Sequence, residues 1–392
     1  MEKLVVGIMS GTSLDGVDAS LLKIKGSGLQ TKIKILKSIS IPYSERIKQE
    51  ILEVMDKNKS NIEKVTNLNF KLGYLFSESV FEVCNKANIE ISDINFIGSH
   101  GQTVYHIPLS DEHSIASTLQ IGEPSIIAHE TNKTVVSNFR PMDMASGGEG
   151  APLIPYVDWL LFNNNKQGRI MQNIGGIGNC TVLEKNASTD SILAFDTGPG
   201  NMIIDSLCRK LYNKPYDENG NIAKTGQVHS NIVFELMEDM YFKTSPPKTT
   251  GREKFGEYFV ENFIQKYSHV EKKDLITTVT YFTAYSISTA YQQYVFPYYD
   301  ISEIIVSGGG ANNMTLISMI KQLLPDKFVT TLDRFEITND EKEAVGFAIL
   351  ANETLHQKKT NVPYATGAKK LVILGQITLP PTGDDSFSYK FN

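Results

Sequence analysis

Cysteine and long apolar runs are scarce in this sequence, and each scarcity excludes a class of protein. Cys84, Cys180 and Cys208 are the only cysteines and lie far apart, which predicts neither a disulfide framework nor a zinc cluster. No run of 18 apolar residues is present, so we expect no membrane-spanning helix. The opening residues 1–6 lack the apolar segment of a signal peptide, which indicates a cytoplasmic protein.

A positive charge excess is also missing. The chain has 38 Lys and Arg residues against 44 Asp and Glu residues, a formal net charge of −6. A nucleic-acid-binding protein usually carries a basic surface, so we expect no nucleic-acid partner. The 392 residues, 41% hydrophobic and 21% charged, have the composition of a globular protein and suffice for two domains.

One pattern occurs twice along the chain, roughly 165 residues apart. Each copy has an apolar strand, a Gly-rich turn, a second strand and a third strand, which favours a duplicated domain. The first copy comprises Leu4–Met9, Gly11–Gly16, Val17–Ile24 and Lys32–Ile41, and the second comprises Arg169–Ile174, Gly175–Gly178, Asn179–Leu183 and Ile192–Phe195.

Helical periodicity dominates the segments between and after these openings. The Gly-rich passage 146–152 predicts a boundary region, and the proline-bounded tail 362–379 reads as strand. Further strands are predicted over Ile94–Gly98, Thr134–Val136 and Glu303–Val306. The predicted helices are Glu45–Met55, Ile62–Ala87, Pro124–Glu130, Asn201–Tyr212, Asn231–Met240, Arg252–Tyr267, Leu275–Val295, Met314–Leu324 and Asp340–Thr354.

Three Gly-rich loops, each following a predicted strand, are candidates for holding phosphate groups. Glycine lets backbone N–H groups approach a phosphate, and a following helix N-terminus favours an anion. Each loop alone is more typical of a simple turn. The prediction of a phosphate site depends on the presence of all three loops. No GxxxxGK[ST] motif is present, which excludes a P-loop kinase. The loops are residues 7–18, 173–179 and 307–313.

Several longer motifs occur in an order that resembles the anhydro-N-acetylmuramic acid kinase family. They are GIMSGTSLDGVD from Gly7, SHGQT from Ser99, NFRPMDMASGGEGAPLIP from Asn138, NIGGIGN from Asn173, FDTGPGNMIID from Phe195, PPKTTGRE from Pro246 and VSGGGANN from Val306. The resemblance implies an α/β protein with two actin-like, ribonuclease H-like domains, whose mixed sheets are flanked by helices around an ATP cleft. We expect domains at 1–137 and 138–356, with the tail from about 357 packing back on the first.

The resemblance also implies an activity and its partners. ATP, with Mg²⁺, and water would convert the small-molecule sugar 1,6-anhydro-N-acetylmuramate to N-acetylmuramate 6-phosphate and ADP, in peptidoglycan recycling by a cytoplasmic homodimer. Met9 stands where the wider superfamily carries a metal-binding Asp, so the metal ligands stay unknown, with Asp15 or Asp196 as outer-shell candidates. The expected nucleotide-binding residues are Gly11, Thr12, Ser13, Leu14, Asp15, Gly16, Val17, Asp18, Asn173, Gly175, Gly176, Gly308, Gly309, Gly310 and Asn313.

Asp143 is the candidate catalytic residue. Opening an anhydro sugar needs water activated for attack at C1, and one positioned carboxylate can accept the proton. The leaving O6 would be captured by the γ-phosphoryl group, so a second carboxylate acting as general acid is not required. Spacing alone leaves a loop-capping role equally open, and the resemblance favours the catalytic base.

Seven further residues are candidates for binding the sugar. His100 is as typical of a buried structural histidine as of a substrate contact, and Asp196 can equally cap a helix. Lys248 and Arg252 suit a lactyl carboxylate or phosphate, or else a solvated loop. The remaining candidates are Gln120, Glu123 and Arg140. Gln120 and Glu123 can bind sugar hydroxyls, although Glu123 can equally belong to a helix start.

Two other functions use the same fold. A kinase of another amino sugar, such as N-acetylglucosamine, would phosphorylate a free hydroxyl without water attack at C1. A non-enzymatic sugar sensor usually carries a helix-turn-helix extension, whereas this sequence starts at its first strand. A chaperone-type ATPase needs a peptide-binding domain, for which the chain has no length left.

Overall fold

A computed structural model describes residues 1–11, 14–335 and 337–382. Among these residues, no helix has both the length and the apolar character needed to cross a membrane. The twelve strands found there are β1 Glu2–Ser10, β2 Gly16–Lys25, β3 Lys32–Pro42, β4 Phe96–Ile107, β5 Ser117–Ile121, β6 Thr134–Ser137, β7 Gly168–Ile174, β8 Ile177–Leu183, β9 Leu193–Pro199, β10 Ile301–Ser307, β11 Phe328–Thr331 and β12 Gln376–Thr378.

Fourteen α-helices are found in the same part of the chain. They are α1 Glu45–Met55, α2 Ile62–Ala87, α3 Pro124–Thr131, α4 Pro141–Ala145, α5 Ile154–Phe162, α6 Met202–Tyr212, α7 Ser230–Met237, α8 Met240–Lys243, α9 Arg252–Phe255, α10 Glu257–Lys266, α11 Lys272–Tyr294, α12 Met314–Leu323, α13 Asn339–Leu355 and α14 Pro363–Thr366.

The chain forms two compact units. The first comprises Met1–Leu160 and the chain from Asp340 onward, and the second comprises Leu161–Asn339. Residues 138–160 and 340–356 therefore belong to the first unit, whereas the sequence analysis assigned them to the second domain. The reason is packing: Gly7 of β1 and Gly98 of β4 let the backbone of α13 lie directly against the first sheet. The sequence does not reveal this contact, because α13 is separated from β1 and β4 by more than 200 residues of chain.

The first unit is built on a seven-stranded mixed sheet. Its order is β12-β6-β4-β1-β2-β3, with β5 paired to β4. β1 runs antiparallel to β2 and parallel to β4, and β4 runs parallel to β6. The chain after α13 returns to this sheet, where β12 pairs antiparallel with β6.

The second unit repeats this arrangement in a five-stranded sheet. Its order is β11-β10-β7-β8-β9, which matches β6-β4-β1-β2-β3 strand for strand. β7 is antiparallel to β8 and parallel to β10, and β10 is parallel to β11. The duplication predicted from the two sequence openings is confirmed, as is the α/β class with two mixed sheets flanked by helices.

Apolar periodicity explains how the long helices pack. In α2 the buried Leu68, Leu72, Phe76, Val80 and Val83 fall on one stripe, which faces the core of the first unit. Burying each such side chain stabilises the fold by about 1.5–3 kcal/mol. The α2 bounds agree with the prediction from sequence because this stripe is a local property of the chain.

α11 is buried almost all round because it lies between two cores of the second unit. Leu275, Val279 and Phe282 join one apolar cluster, and Ile287 and Tyr291 join another. A helix with two apolar faces has no clear amphipathic pattern, yet its length made it predictable.

Two predicted elements differ from the structure, and several short elements were not predicted. The helix predicted over Arg252–Tyr267 is divided into α9 and α10 at Gly256, where the backbone turns close against the carbonyl of Arg252. The tail predicted as strand contains α14 and only three residues of strand. The prediction missed α4, α5, α8, β5 and β11, each of which is at most nine residues long.

Candidate functional site

Two Gly-rich loops of the second unit lie together at one edge of its sheet. β7 and β10 are parallel neighbours, so the turn 175–176 after β7 and the turn 308–310 after β10 emerge side by side. Asn201, immediately before α6, joins them: its backbone N–H donates to Gly175 O at 2.7 Å and its Nδ2 to Ile174 O at 3.3 Å. This edge brings together two of the three loops that the sequence analysis assigned to the nucleotide.

The glycines in these loops have two different roles. A Cβ at Gly175 would meet nothing closer than 3.8 Å, and one at Gly309 would meet only Asn201 Nδ2 at 3.4 Å, so both face open space. Gly308 has φ of +79°, and a Cβ there would lie 2.6 Å from Asn173 Oδ1. Gly175 and Gly309 are therefore positioned for a ligand, and Gly308 is required by the backbone.

Asn313 has a structural role at the end of this loop. Its Oδ1 accepts a hydrogen bond from Leu316 N at 3.0 Å and caps α12. The side chain is 6% exposed. The sequence analysis had named Asn313 as a nucleotide contact, whereas its side-chain oxygen already satisfies the helix N-terminus.

The first Gly-rich loop is described in part, because Thr12 and Ser13 lie outside the described residues. Leu14 and Val17 pack their side chains into the core of the first unit, so nucleotide contacts at these positions are limited to the backbone. Gly16 approaches the backbone of β3. Gly11 is partly exposed, Asp15 is exposed and Asp18 is partly buried on β2.

Asp143 is fully enclosed in the first unit. Its Oδ2 accepts from Gly150 N at 2.9 Å, and its Oδ1 accepts from Asn361 Nδ2 at 2.9 Å and Thr366 Oγ1 at 2.8 Å. The residue has no exposed surface. The two oxygens therefore connect the Gly-rich passage to the tail. These contacts are the ones expected if Asp143 has the loop-capping role.

His100 and Arg140 form a buried pair in the same unit. Arg140 Nε donates to His100 Nε2 at 3.0 Å, and His100 Nδ1 donates to Gly101 O at 2.7 Å. Burial, with the Arg140 charge, lowers the pKa of His100 to about 3, so the imidazole is neutral. Arg140 also donates to Gly150 O at 2.7 Å, and burial lowers its pKa to about 10.

Glu343 of α13 is a candidate that the sequence analysis missed. Its side chain reaches the surface, yet protein surrounds it closely enough for desolvation to raise its pKa. The charges of Lys342 and Arg140 oppose this rise in the pKa, and the charge of Asp18 adds to it. Perturbed carboxylates of this kind are typical of functional sites. The sequence offered no signal, because the helical pattern accounts for Glu343 as a surface residue.

His100, Gln120 and Glu123 line one cavity of about 310 Å³ in the first unit. Glu123 caps α3 through Ser125 N at 3.0 Å, and its other oxygen accepts from Asn69 Nδ2 at 3.0 Å. Gln120 Nε2 donates to the hydroxyls of Thr103 and Thr118. The structure therefore gathers three of the predicted sugar-binding residues around a single space.

Asp196 and Lys248 are neighbours in the second unit. Asp196 lies within β9, which excludes the helix-cap role, and its Oδ2 accepts from Thr250 N at 2.8 Å. Asp196 is partly exposed, whereas Lys248 is 7% exposed and lies 4.7 Å from the ring centre of Tyr241. Burial lowers the pKa of Lys248 to about 8. Arg252 begins α9 nearby and is exposed.

The described residues include no cluster of three or more His, Cys, Asp or Glu side chains that could hold a metal ion. The open glycines beside Asn201 have the unobstructed backbone that suits a phosphate group.

The duplicated sheet order, with Gly-rich loops at the strand ends, defines the two-unit ATPase fold of the actin and hexokinase class. A family model described as anhydro-N-acetylmuramic acid kinase matches residues 3–380, and the chain belongs to that family. The resemblance stated from the sequence motifs is confirmed.

Curated relatives agree with this assignment. Proteins named anhydro-N-acetylmuramic acid kinase from Bacillus cereus (strain AH187) and Clostridioides difficile (strain 630) are 49% and 50% identical over 378 residues. The matches cover 96% of this chain and 99% of each relative. Among solved structures, component A of the Acidaminococcus fermentans (R)-2-hydroxyglutaryl-CoA dehydratase aligns at 13% identity over 88% of this chain and 96% of that one, with a TM-score of 0.46. That likeness is too distant to bear on function.

Proposed function

We propose that this protein is an ATP-dependent kinase that opens 1,6-anhydro-N-acetylmuramate with water and phosphorylates its O6. The products are N-acetylmuramate 6-phosphate and ADP. The observation that carries the proposal is the near-complete match, at 49–50% identity, to relatives named for this sugar. We further propose that it acts in the cytoplasm as a homodimer, in the recycling of bacterial cell-wall sugars.

The reaction needs one proton acceptor. Water attacks C1 and the C1–O6 bond breaks, while O6 bonds to the γ-phosphorus and the bond to ADP breaks. The attacking water gives up one proton to a general base. The oxygen that leaves carbon is captured by phosphorus, so no separate acid has to protonate it.

We assign the base to Asp196 rather than to Asp143. A general base must reach its water, and Asp196 is partly exposed while Asp143 has no exposed surface. Thr250 N orients the Asp196 carboxylate through a 2.8 Å hydrogen bond. Asp143 instead holds the loop at Gly150 against the tail at Asn361. The catalytic role predicted for Asp143 stays a prediction that substitution tests.

ATP is the phosphoryl donor in this proposal. Gly175 and Gly309 offer unobstructed backbone for its phosphate groups. Mg²⁺, when bound, neutralises charge on the phosphate oxygens.

The anionic lactyl group and the phosphates require cations. Arg252 is exposed on α9 and is free of the packing that holds Lys248 between the rings of Tyr241 and Tyr294. Arg140 lies near Glu343 in the first unit. We assign Arg252 to the anionic groups, and Lys248 and Arg140 to positioning of the surrounding loops.

The test is turnover by purified protein. With Mg-ATP, the protein should release ADP upon addition of 1,6-anhydro-N-acetylmuramate and form the 6-phosphate, and N-acetylglucosamine should be a poor substrate. Efficient turnover of N-acetylglucosamine with none of the anhydro sugar would replace this proposal with the other amino-sugar kinase.

A further inference from the structure

Asp196 lies where the edge strand of the second sheet is irregular. β9 is the outermost strand and has β8 as its neighbour in the sheet. Asn179 of β8 is opposite Asp196. The preceding residue of β8, Gly178, is opposite Gly198, which leaves Thr197 as an extra residue. Such a bulge redirects the neighbouring side chains, so the direction of the Asp196 carboxylate depends on contacts from outside the sheet.

The segment 241–250 supplies these contacts through three hydrogen bonds. The Asp196 N–H donates to Lys248 O at 3.0 Å, and Thr250 N donates to Asp196 Oδ2 at 2.8 Å. The Tyr241 hydroxyl donates to Asp196 O at 2.6 Å. Burial raises the pKa of this hydroxyl, and the charge of Asp196 adds to the rise, so the hydroxyl keeps its proton. One segment thus holds both main-chain groups and one carboxylate oxygen of Asp196.

Lys248 holds Tyr241 in turn. Its Nζ donates to Tyr241 O at 3.0 Å and lies 4.7 Å and 4.9 Å from the ring centres of Tyr241 and Tyr294. An ammonium group within about 6 Å of an aromatic ring is attracted to the face of that ring. Because the carbonyl of the same lysine accepts from Asp196 N, Lys248 connects β9 to α8 through both its backbone and its side chain.

Tyr241 also has a packing role, which has to be separated from positioning. Its ring packs edge to face against Phe242 and Phe255 and belongs to an apolar cluster of the second unit. Replacing it by Phe keeps the ring and removes only the hydroxyl. Tyr294 offers a matched case, because its hydroxyl donates to Phe242 O of α8 at 3.1 Å rather than to Asp196 O.

We propose that Tyr241 and Lys248 are positioning residues for the general base. The Tyr241 hydroxyl holds the main chain of Asp196 so that Thr250 N can orient the carboxylate, and the Lys248 ammonium group keeps Tyr241 in place. Neither side chain acts on the reacting atoms directly. This inference rests on the proposed function, and in particular on the assignment of Asp196 as the base.

The test is a double-mutant cycle between Tyr241→Phe and Asp196→Asn. Tyr241→Phe alone should lower kcat for the anhydro sugar by about tenfold to a hundredfold, because misplacing a catalytic group by about 1 Å can cost about a hundredfold. KM for the sugar and for ATP should change little, because proton transfer strengthens only on the way to the transition state. In the Asp196→Asn background, Tyr241→Phe should lower kcat by less than about twofold, because the base through which it acts is gone.

The chain offers matched controls. Tyr294→Phe keeps the ring beside Lys248, removes one hydrogen bond to α8 and should leave kcat unchanged. Lys248→Met should lower kcat in the same way as Tyr241→Phe, and it replaces Tyr241→Phe in the cycle if that variant does not fold. Lys243→Met removes an exposed lysine of α8 that pairs with Glu238, and it should leave kcat unchanged. Thermal melts should show which variants are folded at the assay temperature.

The outcomes separate this inference from the proposed function. If folded Tyr241→Phe keeps its kcat, or lowers kcat by the same factor in both backgrounds, the positioning role is overturned alone. An equal fall in kcat for Tyr294→Phe would assign the effect to the packing of α8 and would also overturn it. If Asp196→Asn keeps its kcat, the base assignment fails and the inference falls with it. If the folded wild type does not turn over the anhydro sugar, the proposed function itself is overturned.

Discussion

Replacing Asp143 by Asn separates a structural role from a catalytic one. The carboxylate accepts three buried hydrogen bonds, from Gly150 N, Asn361 Nδ2 and Thr366 Oγ1. An Asn side chain has one acceptor oxygen, and its NH₂ group must face at least one of these donors. We therefore expect lower stability rather than a specific loss of catalysis.

The size of the effect follows from those contacts. A hydrogen bond to a charged group contributes about 1.5–3 kcal/mol, and an unpaired buried donor costs about 1–3 kcal/mol. One lost bond and one unpaired donor together give a loss of about 2.5–6 kcal/mol. At about 2–4 °C per kcal/mol for a domain of this size, the melting temperature should fall by roughly 5–24 °C.

The assay combines thermal melting with kcat measured well below the melting transition. Asp93→Asn, which changes an exposed carboxylate of the same unit, is the control and should shift stability by less than about 0.5 kcal/mol. Asp196→Asn should instead lower kcat by about 10²–10⁴ at nearly unchanged stability. A stable Asp143→Asn variant whose kcat falls a hundredfold would refute this reasoning and restore Asp143 as the base.

Two further predictions concern the second unit. Gly309→Val should raise KM for ATP at unchanged sugar affinity, because the new side chain enters open space beside Asn201; calorimetry that finds both affinities equally reduced would indicate misfolding instead. Lys248 has a pKa lowered to about 8 by burial, so between about pH 8 and 10.5 the unfolded chain binds a proton that the folded chain lacks. The free energy of unfolding of the wild type should therefore rise with pH over this range relative to that of Lys248→Met. Urea titrations that give the same pH dependence for both proteins would contradict this prediction.

Elements with strong local patterns could be predicted from the sequence. The α1 and α2 bounds agree with prediction because a Ser44 or Asn61 cap and an apolar stripe fix them within the segment itself. The duplicated openings were predictable for the same reason, since alternation and Gly-rich turns are local signals. Short helices such as α4 contain too few residues to show a hydrophobic periodicity.

The candidate site was less predictable, because its environment comes from distant segments. Asp143 stood out in its motif, but Asn361 and Thr366, which enclose it, lie more than 200 residues away in sequence. The pKa of Glu343 is raised mainly by burial, with a smaller effect from the charge of Asp18, and both depend on packing that sequence alone does not show. The motifs thus identified the family, whereas the division of roles among carboxylates required the fold.

The entry of water oxygen at C1 tests the central claim most directly. The protein should be incubated with Mg-ATP and 1,6-anhydro-N-acetylmuramate in ¹⁸O-water, and the product should be analysed by mass spectrometry before the sugar exchanges its anomeric oxygen. The account predicts one ¹⁸O at C1, an unlabelled phosphate on O6 and one ADP per product. A phosphorylated product without ¹⁸O at C1, or with the anhydro bridge intact, would contradict it.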